Sequence, residues 1–231
     1  MSDAMLYTPP GCVLYLDLRK VDGNKVYDYS GHGNHGTVYG ARLNQELPCK
    51  GLEFDGEDDY VHVPNTDVLK IYDVITVEGL IRIDELNRRN IVYSDWDWPA
   101  DRANVILFVE STNVVRFGIA DKDQNSDFVY SVTKLEAMKW YHLVGVFDGD
   151  FLYMYVNGML DASKDTSLTN IYGEGDMKLI GRYFDYYHRG IITLLRIYNR
   201  ALTADEVKKC FEDIQRRILR RIVAARDVSV R

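Results

Sequence analysis

From Cys12 to Asn199 the chain alternates apolar and polar positions with a period of two, and glycine, asparagine and aspartate punctuate the runs. The stretch 51–64 shows the pattern. Leu52 and Phe54 alternate with Glu53 and Asp55, Gly56 breaks the run, and Tyr60, Val61 and Val63 resume it until Pro64. Cys12 to Leu18 reads as a strand with Val13, Tyr15 and Asp17 on one face and Leu14, Leu16 and Leu18 on the other. Asp73 to Ile83 is a strong strand whose core face carries Ile75, Val77, Gly79, Ile81 and Ile83. Thr37 to Leu43 is a weaker one. Asn90–Ser94 pairs with Asn104–Val109, and Val114–Ala120 with Phe128–Val132. Trp140–Phe147 and Phe151–Val156 form a hairpin, and Asn157-Gly158 turns the chain into Met159–Asp161. Lys178–Gly181 and Ile191–Asn199 complete about a dozen short strands with no helix between them, which predicts an all-β, two-sheet antiparallel jelly-roll sandwich over residues 1–202.

The end of the chain changes period. Thr203-Ala204-Asp205-Glu206 is a capping box. Val207, Phe211, Ile214, Ile218 and Ile222 then recur at three and four, predicting an amphipathic helix over 203–225 and a tail over 226–231. Lys208 to Arg231 holds eight Lys or Arg against three acids, a net +5, which leaves −12 for the remainder of a chain of net charge −7. The expected place for this basic helix is the chain's own acidic sandwich; the alternatives are self-association through its isoleucine stripe and docking on an anionic partner or membrane surface, the membrane being the weakest because the stripe is short and lacks Trp. The overall charge argues against a nucleic-acid partner. There is no run of about 20 apolar residues for a membrane span, and Met1 to Pro10 shows no basic-then-apolar leader. Cys12, Cys49 and Cys210 have neither disulfide-framework nor zinc spacing, and a Cys12–Cys49 bridge stays open. His32 and His35, in a glycine-rich loop with no third imidazole or thiol, read as loop hydrogen-bonders.

Five short pieces, in order, carry a resemblance. They are residues 28–36 (Asp-Tyr-Ser-Gly-His-Gly-Asn-His-Gly), Leu52-Glu53-Phe54-Asp55-Gly56 with Asp59-Tyr60-Val61, Trp140-Tyr141-His142-Leu143-Val144, Tyr153 to Gly158, and Arg196-Ile197-Tyr198-Asn199-Arg200 leading to the helix. The chain resembles the laminin-G-like jelly-roll domains of the concanavalin A-like lectin/glucanase superfamily. That resemblance implies an extracellular or virion-surface setting, and a carbohydrate or glycoprotein partner. It also implies a structural calcium near Asp17, Asp55, Gly56 and position 193. Many relatives have aspartate where Thr193 stands, and a neutral residue there lowers the expected affinity.

Within such a fold, hydrolysis needs paired carboxylates on one strand face. Glu53-Phe54-Asp55-Gly56-Glu57-Asp58 misses that spacing and lies early in the chain, so no enzyme is expected. Binding fits better. Trp96 and Trp98 alternate with Asp95 and Asp97, and Tyr183, Asp185, Tyr186, Tyr187 and His188 cluster near the end. Aromatic faces with polar neighbours suit a sugar. Phe184 and one of the two tryptophans are expected to plug the sandwich. The leading reading is a non-enzymatic carbohydrate or glycoconjugate recognition or adhesion module. An assembly protein and a diverged glycosidase are the alternatives.

Overall fold

The computed structural model describes residues 6–44, 50–97 and 102–219. Among them the chain builds the antiparallel sandwich that the alternation predicts. One sheet runs β14 (Met159–Asp165), β13 (Phe151–Val156), β12 (Trp140–Phe147), β7 (Ile75–Ile83), β18 (Arg189–Tyr198) and β1 (Cys12–Asp22). The other runs β11 (Ser126–Lys134), β10 (Val114–Ala120), β9 (Arg102–Val109), β8 (Asn90–Asp97), β15 (Met177–Ile180), β6 (Tyr60–Val63) and β3 (Gly36–Tyr39). Strand β2 (Lys25–Asp28) pairs with β1 on one side and β3 on the other, carrying the ladder from sheet to sheet. Strands β4 (Arg42–Asn44) and β5 (Gly51–Asp55) pair together, and β5 lies along the first half of β18, where β1 takes the second half. The predicted strand over 37–43 is therefore two, split at Gly40, whose φ of 73 suits glycine. A further hairpin, β16 (Arg182–Tyr183) and β17 (Tyr186–Tyr187), stands where the sequence predicted loop.

The inward faces are those the period of two marks. Ile75, Val77, Ile81 and Ile83 join Leu14, Leu16, Leu18, Leu52 and Phe54 in one core between the sheets. Phe117 reaches across from β10 to β12, where a Cβ on Gly145 would stand 2.2 Å from its ring, so the glycine makes room. Thr193 is the extra residue of a bulge in β18, between Ile192 opposite Ile81 and Leu194 opposite Leu80. It sits at the switch from β5 to β1 and donates its hydroxyl to the Lys50 carbonyl at 3.0 Å.

The outer face of the first sheet is covered by both ends of the chain. Helix α1 (Ala204–Ile214) starts at Thr203 with the predicted capping box complete. One further irregular turn follows to Leu219, and the rest of the predicted 203–225 span lies outside the described residues, as do 226–231. Val207, Ile214 and Ile218 are buried against the chain's own sheet, and Phe211 stacks on His142 at 5.7 Å. The apolar stripe is thus occupied within the chain as far as it is described. Leu6 packs with Ile214 and Ile218. The Tyr7 amide donates to Asp213 at 2.8 Å, and its carbonyl accepts from Arg196 at 3.0 Å. Cys12 and Cys210 are free thiols, and Cys49 lies outside the described residues.

Beneath this cover sits a charged cluster with no access to water. Glu78 on β7 accepts from Tyr198 Oη at 2.8 Å and meets His142 Nε2 at 2.9 Å. Arg196 Nη1 reaches both its oxygens at 3.4 Å while the guanidinium lies 4.4 Å over Tyr15. Desolvation, the strongest single influence, pushes the Glu78 carboxyl upward. Arg196 and the His142 and Tyr198 hydrogen bonds outweigh it and hold the pKa at about 2, against an ordinary 4.5.

A carboxyl depressed in the fold stabilises it above the unfolded pKa, and that stabilisation is lost as pH falls through the folded one. Urea titrations should therefore show a loss of about 3 kcal/mol between pH 4.5 and 2. Glu78→Gln should cost about 3 kcal/mol or more at pH 7, because Arg196 is left without its counter-ion, and should flatten that acid limb.

Candidate functional site

The outer face of the second sheet is differently made. Strand β9 is apolar at nearly every position, so it has no wet face. Val105, Leu107 and Val109 enter the core. Ile106 and Phe108 point the other way and form a separate apolar cluster with Ile91, against which Ala103, Phe128 and Tyr183 pack. Phe128 lies opposite Gly118 on β10, and a Cβ there would come within 2.0 Å of the ring. The missing side chain is what lets the ring lie flat on the sheet.

Two arginines complete this face. Arg116 stacks its guanidinium on Phe128 at 3.5 Å, with Phe108 at 5.3 Å and Tyr130 at 5.7 Å. Arg89 lies between Phe108 at 5.9 Å and Tyr186 at 4.7 Å. Glu110 joins them, 3.2 Å from Arg89 Nε and 3.0 Å from Arg116 Nη1. The result is a cavity of about 350 Å³ walled by these rings, with Gln124 and Ser126 at one side. Arg89 and Tyr186 also wall a second, more open recess of about 470 Å³ with Arg88 and Asp185. The two recesses make one groove with Arg89 as the partition. Stacking surfaces beside fixed donors are what a saccharide requires.

The structure divides the residues that the sequence nominates. Tyr183 lines the first recess, and Asp185 and Tyr186 the second. Tyr187 is half-buried with Arg182 over its ring at 5.4 Å and lines neither recess. Three residues require correction. Asp95 is buried in an ion pair with Lys178 at 3.1 Å, because the β8–β15 register places them opposite each other. Trp96 is buried edge-on against Tyr183 and Phe184 at 5.7 and 5.9 Å, so it supports the β16–β17 hairpin from below rather than offering a face. His188 is buried edge-on against Phe54 at 5.8 Å. Trp98 and the Asp97 side chain lie outside the described residues.

The nominated calcium ligands do not converge. Both oxygens of Asp17 are held by Arg19 at 2.6 and 2.7 Å, and the Thr193 hydroxyl is engaged with Lys50. Asp55 pairs with Arg189, four residues along β18 from Thr193, which is about 13 Å of strand. Asp55 and Gly56 belong instead to a tight turn. The Glu57 amide donates to Asp55 Oδ1 at 2.8 Å and the Asp55 amide to Asp59 Oδ2 at 2.8 Å, while Arg88 Nη2 reaches the Gly56 carbonyl at 2.6 Å. Asp55, Asp58 and Asp59 do lie within 4.8 Å of one another. In the loop at 28–36, Asp28 accepts from the Tyr15, Ser30 and Asn34 amides, and His35 Nδ1 accepts from the Asp28 amide at 3.0 Å, as loop hydrogen-bonding predicts.

Sequence reasoning missed Arg89, Phe108, Glu110, Arg116 and Phe128 as site residues. The available signal was β9, whose Val105 to Val109 run is apolar on both faces although one face has no second sheet to cover it.

A jelly-roll sandwich with a groove across one outer face is the architecture of lectin-like domains. The chain belongs to the concanavalin A-like lectin/glucanases superfamily, whose family model matches residues 55–208. No curated protein matches by sequence. Solved structures share the fold at low identity. The binding domain of Paraclostridial Mosquitocidal Protein 1 is 16% identical, with a TM-score of 0.69, over 87% of this chain and 52% of that one. The botulinum neurotoxin serotype D ligand-binding domain in complex with N-acetylneuraminic acid is 15% identical, with a TM-score of 0.67, over 87% and 50%. A Trypanosoma rangeli sialidase in complex with 2,3-difluorosialic acid is 18% identical, with a TM-score of 0.63, over 90% and 34%. The chain therefore spans about half the length of these toxin binding domains.

Burial, partly offset by a hydrogen bond to the Arg82 carbonyl, holds the His188 pKa at about 4 against an ordinary 6.5. A histidine kept neutral stabilises the fold fully above its unfolded pKa and progressively less below it. Thermal unfolding followed from pH 7 to 4.5 should therefore show a decline that His188→Gln flattens, the contribution at stake being about 3 kcal/mol.

Proposed function

We propose that this chain is a non-enzymatic glycan-recognition module and that the groove over β8 to β11 is its binding surface. The observation that carries the reading is the wall of Arg116, Phe128 and Tyr183 over an apolar floor of Ile91, Ile106 and Phe108, on a sheet face that no second layer covers among the described residues. The fold and the superfamily support it. So do neighbours whose names describe binding domains, one of them holding N-acetylneuraminic acid. Tyr183, Asp185 and Tyr186 extend the surface onto the β16–β17 hairpin, while Asp95, Trp96 and His188 support it from the interior.

A glycan array, followed by titration of the best hit, tests this. Phe128→Ala and Tyr186→Ala should each weaken binding about tenfold or more, which corresponds to about 1.4 kcal/mol. Tyr39→Ala, on an exposed ring stacked at 4.7 Å on Tyr60 away from the groove, should leave it unchanged. Binding that survives both groove variants would remove the groove as the site. Running the array with calcium and with a chelator addresses the expected calcium as well. Its remaining protein candidate is the Asp55, Asp58 and Asp59 cluster.

A further inference from the structure

The first recess has an unusual charge for this molecule. Among the described residues that line it, the charged ones are Arg89 and Arg116, and the remaining polar ones are Gln124, Ser126 and Tyr183. Glu110 pairs with both arginines from the flank and cancels one of the two charges. The recess therefore carries a net +1 inside a chain of net −7. Neutral sugars offer hydroxyl donors as readily as acceptors, and sites for them supply carboxylate or amide acceptors to match. Here the fixed groups are mainly donors, and no carboxylate lines the wall.

Arg116 is also held as an anion receptor would be. Its guanidinium is clamped flat on Phe128 at 3.5 Å, so little rotamer freedom remains to be lost on binding. Its Nη1 is engaged with Glu110, while its Nε is buried without an acceptor from the protein. A guanidinium on a ring beside a second guanidinium matches a planar carboxylate or a sulfate, and the rings flanking it match a pyranose face.

We infer that the groove selects acidic saccharides, with the anionic group of the sugar placed between Arg116 and Arg89 and the sugar ring against the half-buried Phe128 and Tyr183. This inference rests on the glycan-binding reading above. Glu110 then sets affinity by competing with the ligand for the two arginines.

Three probes separate the possibilities by NMR titration of the intact protein: methyl β-glucuronide, its uncharged methyl ester, and galactose 3-sulfate. At least one charged probe should bind ten times more tightly than the ester. A preference for the glucuronide assigns carboxylated sugars, and a preference for the sulfate assigns sulfated ones. Arg116→Gln should abolish the preference for the charged probe over the ester. Glu110→Gln, which keeps the side-chain shape and raises the recess to +2, should tighten the charged probe severalfold relative to the ester. A merely structural Glu110 would not give that result. Ala103→Phe, filling the recess, should remove all binding even if Arg116→Gln fails to fold. Equal binding of ester and acid, or Glu110→Gln weakening the acid, overturns the inference and leaves the groove as a site for neutral sugars. No shift with any saccharide overturns the glycan reading together with it.

Discussion

Glu78 is an ionised carboxylate placed where there is no water, and the architecture of one whole sheet follows from keeping it so. Its partners come from the two strands that flank β7: His142 on β12, and Arg196 and Tyr198 on β18. Antiparallel register brings Arg196 directly opposite Glu78, which is why charges 118 residues apart in sequence meet. The cluster is stable only while it stays dry. Leu6, Tyr7, Val207, Phe211, Ile214 and Ile218 form the cover, so both chain ends are committed to this face. Buried ion pairs contribute little net stability against a hydrophobic alternative, but breaking one is expensive. The cluster thus acts as a register lock: any slip of β18 against β7 would strand a charge.

That commitment leaves the other sheet free. Among the described residues its outer face has no helix over it, yet Ile91, Ile106 and Phe108 are nearly as buried as core residues. They are covered by Arg116 and Phe128 of their own sheet, by Arg89 just before β8 and by Tyr183 of the β16–β17 hairpin. An apolar floor under polar, partly exposed walls describes a recess built for a ligand that is itself apolar on one face and polar at its rim.

The fold was largely legible because its determinants are local. Alternation placed Ile75 to Ile83 correctly, Asn157-Gly158 turned where expected with φ of 51 and 78, and Thr203 and Glu206 closed the helix cap. The acids of 55–59 likewise tie their own turn by accepting backbone amides. The site was legible only in part, because it is made by register between strands. Aromatic loops mark themselves in sequence, and Tyr183, Asp185 and Tyr186 do reach the groove. Whether a tryptophan faces out is decided by what lies opposite it. Trp96 is buried because the β16–β17 hairpin folds over it, and Asp95 because Lys178 pairs across from it. No periodicity distinguishes those cases. Arg116 was hidden for the opposite reason: one arginine in a strand reads as an ordinary wet-face residue until Gly118 and Phe128 are seen to build its seat.

The same geometry bears on recognition against hydrolysis. Cleaving a glycosidic bond by the usual route needs two carboxyl groups about 5 to 9 Å apart, one of them held protonated. The groove has Glu110 at the flank of the first recess and Glu85 and Asp185 in the second, and Glu110 has one oxygen on Arg89 and the other on Arg116. The acids of 53–59 lie along β5 and the turn that follows it, where Glu53 pairs in register with Ile191 and faces solvent. A carboxylate with both oxygens engaged by arginines is well placed to orient the cations beside it. The proposed recognition of an acidic sugar rests on those cations at the first recess, with Arg89 and Arg116 as donors beside aromatic rings.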